Sequence, residues 1–195
     1  MGDIGIVNAD GSGAKRLTSS SADEFGSAWS PDGKKIAFDR TGTAAFGDIW
    51  VMNADGTGQK RLTSSSADEF GSAWSPDGKK IAYMSNRMGH YQVYAMSSSG
   101  GRTMRISHTN ADAGEPRWSS DGSKLAYQAQ VNGNYEIFAV DADGSGTHQL
   151  TNVPFDNTDP AWSPDGTKVA FLSKRNGGDS VYVINANGTR QKRIA

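Results

Sequence analysis

A Trp-Ser-Pro-Asp-Gly motif recurs along this chain at a nearly constant interval. It begins at Trp29, Trp74 and Trp162, and a variant with serine in place of proline begins at Trp118, so successive copies lie 44 or 45 residues apart. A period of about 40–45 residues is the length of one four-stranded propeller blade, which cannot bury its own apolar faces and has to stack on a neighbour. The repeat therefore predicts an all-β propeller of four-stranded antiparallel blades.

Every copy contains four short segments in the same order, which we name strands A to D. Strand A ends at the tryptophan, and the Pro-Asp-Gly sequence predicts a tight turn into strand B. In strand B large residues flank an alanine, as in Ile36-Ala37-Phe38, so the large pair is expected on one face of the sheet and the alanine on the other. Strand C carries an aromatic residue at one fixed position and leads through a glycine-rich hairpin to strand D. The four aromatic residues are Trp50, Tyr94, Phe138 and Tyr182.

These strings are similar to the blade repeat of a known family. The sequence AWSPDGKKIAF at 28–38, followed by DIWVMNADGTG at 48–58 and RLT at 61–63, resembles the repeat of the TolB family. The same WD-like repeat occurs in the propeller domains of tricorn-type and prolyl-oligopeptidase-type proteins. The resemblance implies either an interaction module of an envelope complex or the accessory propeller of a peptidase. It also implies an extracytoplasmic, periplasmic location with the signal peptide removed, since Met1-Gly2-Asp3 does not begin one.

The blade count leaves a half blade over. We expect a single domain, 1–195, with four full blades at about 17–61, 62–105, 106–149 and 150–195. Residues 1–16 form an additional C–D hairpin with Gly5 at the aromatic position, so this hairpin is expected to pack most weakly and to be displaced or disordered. The chain could close alone as a four-bladed ring, or two chains could join head to tail into a ring of about eight blades. We favour the strand-exchanged homodimer, because propellers of the family it resembles usually have six or seven blades.

Two stretches of the chain are identical. Residues 15–37 repeat without change at 60–82. Packing alone does not require identical exposed serines, so the identity indicates a recent duplication or an engineered repeat protein.

No motif in the chain predicts catalysis or cofactor binding. The sequence lacks a Gly-x-Ser-x-Gly elbow, a His-Glu-x-x-His motif and any cysteine. The sequence from Asp141 to Gly146 imitates the start of a calcium loop, but Asn152 stands where that loop needs a glutamate. The near balance of 20 basic and 21 acidic residues argues against a nucleic-acid partner, and no apolar run approaches the roughly 20 residues that span a bilayer. We therefore expect a non-enzymatic binding or assembly module with no cofactor, no metal and no membrane insertion, whose partners are itself and a protein or peptide.

The loops that differ between blades are the candidate binding face. The B–C and D–A loops meet at one face of a propeller, and variable loops on a rigid scaffold are the usual place for binding. These loops carry acids in every copy, together with arginines and one histidine. They form either ion pairs among themselves or a charged rim that recognises a peptide or holds a cation. The candidate residues are Asp23, Glu24, Asp68, Glu69, Arg87, His90, Asp112, Glu115, Asp156, Asp159 and Arg175.

Overall fold

A computed structural model describes residues 2–41 and 47–195, and the regular elements in these ranges are β-strands. The first two strands, β1 (Gly5–Ile6) and β2 (Lys15–Arg16), form an antiparallel hairpin. The next sixteen strands form four antiparallel sheets, each with its strands side by side in chain order. Within the described residues, no helix is long and apolar enough to cross a membrane.

Each sheet is one blade, with strand A at one edge and strand D at the other. Blade one contains β3 (Glu24–Trp29), β4 (Lys35–Thr41), β5 (Gly47–Asn53) and β6 (Lys60–Arg61). Blade two contains β7 (Glu69–Trp74), β8 (Lys80–Ser85), β9 (Gln92–Ser97) and β10 (Thr103–Arg105). Blade three contains β11 (Ala113–Trp118), β12 (Lys124–Val131), β13 (Asn134–Asp141) and β14 (His148–Gln149). Blade four contains β15 (Asn157–Trp162), β16 (Lys168–Ser173), β17 (Ser180–Asn185) and β18 (Lys192–Arg193).

Neighbouring blades pack the face that carries the strand-B alanine against the face that carries the large strand-B pair. Ala37 and Ile49 of blade one share a buried cluster with Ile81, Tyr83 and Tyr94 of blade two. The same kind of cluster joins blade two to blade three and blade three to blade four. The large pair of each strand B faces the preceding blade and its alanine faces the following one, so the two lie on opposite faces of the sheet as the strand pattern predicts. The predicted all-β fold of stacked blades is confirmed.

The blades form an open series. In the part of the chain that the structure describes, extensive packing joins each blade to the next, and the sheets do not close into a ring. The N-terminal hairpin extends the series by half a blade, because Ile4 and Leu17 pack into a buried cluster with Ile36 and Phe38 of blade one. The disorder expected from Gly5 is therefore wrong for the single chain, since the apolar residues beside it hold the hairpin in place. Its displacement by a second chain stays a prediction.

The repeated tryptophans bond each blade to the one before it. The indole N–H groups of Trp74, Trp118 and Trp162 each donate a hydrogen bond of 3.1 Å to a backbone carbonyl of the preceding blade. The acceptors are the residues just before the preceding tryptophan, namely Ala28, Ala73 and Arg117. Trp29 is 53% exposed, and no residue of the described ranges accepts a hydrogen bond from it. We call this contact between neighbouring blades a joint. It is made three times, and the tryptophan donor of blade one has no acceptor among the described residues.

We expect Trp118→Phe to destabilise the protein by about 1–3 kcal/mol, because it removes the hydrogen bond to Ala73 and part of the packing between blades. Trp29→Phe is the matched control and should cost less than about 0.5 kcal/mol in the monomer, because an exposed side chain loses little on truncation. Urea denaturation followed by circular dichroism measures both. Equal losses in the two variants would show that the joint contributes nothing.

Candidate functional site

One aspartate in every D–A loop fastens its blade to the preceding strand C. Its carboxylate accepts a hydrogen bond of 2.7–3.0 Å from a backbone N–H group near the start of that strand. The four pairs are Asp23 with Gly2, Asp68 with Gly47, Asp112 with Tyr91, and Asp156 with Tyr135. A charged acceptor makes such a bond stronger than a neutral one does. These acids therefore contribute to the joints between blades.

Glu24 and Glu69 lie next to these aspartates but are buried inside the blades. The Glu69 carboxylate accepts hydrogen bonds from Arg87 and from Ser65 Oγ at 2.7 Å. The Glu24 carboxylate accepts from Arg40 Nε at 2.8 Å. Each buried charge is thus paired within its own blade, which is the arrangement that offsets the cost of removing it from water. Neither carboxylate faces solvent as a rim residue would.

Both of these arginines, and Arg175 of blade four, also cover strand-C aromatic rings. The guanidinium carbons of Arg40, Arg87 and Arg175 lie 4.2, 4.5 and 4.1 Å from the ring centroids of Trp50, Tyr94 and Tyr182. Such cation–π contacts are worth about 0.5–2 kcal/mol each.

The arginine's acidic partner varies from blade to blade. In blade four Arg175 donates to the amide oxygen of Asn157 at 3.0 Å, so an uncharged group occupies the position of Glu69. Blade three has Ala113 and Val131 at the two positions and lacks the pair. The pair is therefore dispensable in a blade of this kind when both partners are absent.

His90, Glu115 and Asp159 have different surroundings. His90 is exposed, with Nδ1 3.5 Å from the Asp112 carboxylate. Glu115 and Asp159 occupy the bulge of strand A, at φ angles of 52° and 53°. Glycine occupies the same bulge in the first two blades, at Gly26 and Gly71, because a left-handed conformation costs glycine little. Glu115 pairs at 3.0 Å with Arg117 of its own strand.

The predicted site residues thus divide into several local groups. The four aspartates and His90 lie at the joints, Glu24, Glu69, Arg87 and Arg175 lie inside blades, and Glu115 and Asp159 lie on strand A. Recognition of a partner by these residues stays a prediction. Within residues 2–41 and 47–195, no three His, Cys, Asp or Glu side chains lie together in a way that could hold a metal ion.

A pocket of about 510 Å³ lies along strands A of the first three blades. Its walls are Phe25–Ala28 of β3, Phe70–Ala73 of β7, and Glu115 and Arg117 of β11, and Asp39 of β4 also lines it. Asp39 is 1% exposed, and its Oδ2 accepts a hydrogen bond of 2.9 Å from the Gly71 backbone N–H. Its other oxygen, Oδ1, is buried with no hydrogen-bond partner in the described structure.

Burial raises the pKa of the Asp39 carboxyl to about 7, against the opposing effect of the hydrogen bonds from the Gly71 and Ser72 amides. The negative charge of Glu115 raises it further. A carboxyl with such a pKa in a concave site is typical of functional positions. Sequence reasoning missed Asp39, although the equivalent residues of the other blades are Met84, Gln128 and Leu172. The available signal was a single aspartate at a strand-B position where the other three blades have no acidic residue.

Comparison with known families agrees with the repeat. The profile of the TolB β-propeller domain matches residues 40–130 and 109–195. No curated protein matches the chain at a significant level.

Several solved structures share the fold. TolB from Acinetobacter baumannii superposes with a TM-score of 0.79 at 24% identity, over 98% of this chain and 48% of that one. Oligogalacturonate lyase from Vibrio parahaemolyticus has a TM-score of 0.75 at 15% identity, over 98% of this chain and 58% of that one. A puromycin-hydrolysing peptidase of Mycobacterium tuberculosis has a TM-score of 0.75 at 14% identity, over 95% of this chain and 30% of that one. The chain thus spans about half the length of the A. baumannii TolB and less than a third of the peptidase.

We expect Arg87→Val to cost about 2–4 kcal/mol, because it leaves the Glu69 carboxylate buried without its cation. The double variant Glu69→Ala with Arg87→Val reproduces Ala113 and Val131 of blade three and should recover most of that loss. Urea denaturation of both variants measures the difference. A double variant as unstable as Arg87→Val would contradict a paired, structural role.

Asp39 should make the protein less stable as the pH rises from about 4 to above 7. The folded-state pKa of about 7 exceeds the unfolded value near 3.9, so the folded state holds the proton more tightly and loses this advantage as the proton leaves. Asp39→Asn keeps an acceptor for the Gly71 amide but cannot ionise. Relative to the wild type it should be more stable at pH 8 by about 2–4 kcal/mol, with the difference vanishing near pH 4. Denaturation at both pH values tests this, and a difference that does not change with pH would contradict it.

Proposed function

Because the chain belongs to the TolB β-propeller domain family, we propose that it is a non-catalytic binding and assembly module whose open blade faces join those of a second copy. The observation that carries the proposal is the joint that the chain makes three times between its own blades. Half of that joint is left over at blade one, where the Trp29 indole has no described acceptor.

The surface that would contact a following blade is uncovered at blade four. Ile194 is 59% exposed, whereas the equivalent residues Ile106 and Leu150 are buried in the clusters that join their blades to the next. Ala170 is also less buried than Ala37, Ala82 and Ala126, which occupy the same position in blades one to three. Blade four therefore presents an alanine-bearing face of the kind that receives the large strand-B pair of a following blade.

A second copy would contact these two faces in the same way that neighbouring blades of one chain contact each other. Trp29 would donate to the carbonyl of Ala161, because Ala161 precedes Trp162 as Ala28 precedes Trp29. Two such contacts, one at each end, would close two chains into a ring of about eight blades. Each new contact would bury apolar surface that is exposed in the single chain.

The N-terminal hairpin competes with this contact. Gly2 donates to Asp23 as Gly47 donates to Asp68, so β1 and β2 occupy the place that β17 and β18 of a second copy would take. Assembly therefore exchanges one hairpin for another. The incoming hairpin carries Tyr182, whose ring packs on Phe171, where β1 has Gly5.

A second candidate is the accessory propeller of a larger enzyme. It is favoured by the superposition on the M. tuberculosis peptidase, in which this chain covers 30% of the other. In that case the open faces would contact further segments of one longer polypeptide, and the isolated chain would stay monomeric.

Light scattering after size-exclusion chromatography distinguishes the two candidates. We expect the wild type to show about twice its chain mass of 20.7 kDa, increasingly so at higher protein concentration. Trp29→Arg should give the monomer, because it places a charge in the joint between copies.

Met88→Arg is the matched control for this experiment. Met88 is 69% exposed on the loop after β8, away from the open faces, so its substitution should leave the mass unchanged. A monomeric wild type at all concentrations, or an unchanged mass for Trp29→Arg, would overturn the assembly proposal.

A further inference from the structure

We propose that the pocket containing Asp39 binds a protonated primary amine attached to an apolar group. This inference concerns a different region from the open faces and does not depend on assembly. It rests on two buried polar groups that the described residues leave without partners, Asp39 Oδ1 and Ser72 Oγ. Both residues line the same pocket.

The carboxylate is held in a defined position. Its Oδ2 accepts from the Gly71 amide of the next blade. It also lies against Gly26, where any Cβ would collide with the carboxylate. With Oδ2 engaged, Oδ1 is the oxygen left to receive a donor, and an ionised carboxylate without one is costly in a buried place.

The charge of the pocket favours a cation. The charged groups that face Asp39 are Glu115 and Arg117 of β11, while β3 and β7 contribute phenylalanine, glycine, serine and alanine. Glu115 and Arg117 pair with each other at 3.0 Å, which leaves the charge of Asp39 without a cation of its own among the residues that line the pocket. A neutral ligand would leave this charge unbalanced, and an anion would be repelled.

The walls favour an apolar body on that cation. Phe70 is held edge-on against Tyr91, with ring centroids 5.2 Å apart, and Phe25 is partly exposed. Aromatic rings beside an ammonium group add cation–π attraction as well as apolar contact. A pocket of about 510 Å³ lies within the range of small-ligand sites.

The position is particular to the joint between blades one and two. Met84 and Gln128 stand at the equivalent positions of blades two and three, and there they approach the bulge amides of Glu115 and Asp159. Both are uncharged, so neither of those joints attracts a cation through this position. The repeat therefore supplies natural precedents for removing the charge while keeping the fold.

Benzylammonium is a suitable probe, with benzyl alcohol as its uncharged counterpart. Binding to the full chain at pH 8 is followed by ligand-observed NMR titration. We expect benzylammonium to bind at least about tenfold more tightly than benzyl alcohol, because only the cation can neutralise Asp39. Equal affinities, or no binding of benzylammonium, would overturn the proposal.

Two variants assign the binding to Asp39. Asp39→Asn should weaken benzylammonium binding at least about tenfold, because it removes the charge and retains the shape. Asp48→Asn makes the same change at a buried aspartate of blade one that pairs with Arg61 outside the pocket, and it should bind as the wild type does. Asp39→Met, which copies Met84, serves if the asparagine variant does not fold. Wild-type affinity in a folded Asp39 variant would overturn the assignment.

A pH series adds a readout that a structural role would not change. Benzylammonium binding should weaken about thirtyfold between pH 8 and pH 5.5, because protons compete for a carboxyl with a pKa of about 7. An affinity that does not change over this interval would contradict binding at Asp39.

Discussion

Every blade of this protein has two apolar faces, one with the large strand-B pair and one with the strand-B alanine, and both need to be covered. A sheet of four short strands buries neither face by itself, so its stability depends on the blades on either side. The face with the large strand-B pair packs on the alanine-bearing face of the blade before it, as Tyr83 packs in a cluster with Ala37. Polar contacts then set the relative position of the blades, through the tryptophan N–H and the loop aspartate. The ends of the series are the places where this requirement is unmet.

The positions and partners of the charged residues depend on the same packing between blades. Loops that cross from strand D of one blade to strand A of the next run past the backbone N–H groups that begin the preceding strand C, and an aspartate there satisfies one of them. Glu24 and Glu69 point inward and each has an arginine partner, and where the glutamate is replaced by Ala113 the arginine is absent as well. Glu24 and Glu69 also have one buried oxygen without a hydrogen-bond partner, but Asp39 differs from both because no cation is paired with it. This difference makes it the residue most suited to contact a ligand.

Much of the fold could be predicted from the spacing of the tryptophans, and the predicted family is confirmed. The division of strand B into a large and a small face was also predictable, since alternation along a strand depends only on local geometry. The candidate site was less predictable. The sequence placed Glu24 and Glu69 on a loop face, yet both carboxylates point into their blades, because side-chain direction at the start of strand A depends on the bulge that follows. Asp39 was missed because its neighbours come from two other blades.

The sequence by itself determined the blade as a unit: its length, its strand order, its turns and the faces of its strands. All of these depend on contacts between residues close together in the chain, and the same pattern occurs in four copies. Only the tertiary structure decided which groups meet across the joints. The bond from Trp74 to Ala28, the packing of Ile4 on blade one and the carboxylate of Asp39 against Gly71 each join residues of different blades. Such contacts depend on the angle and distance between stacked sheets, which result from the packing of all their side chains together.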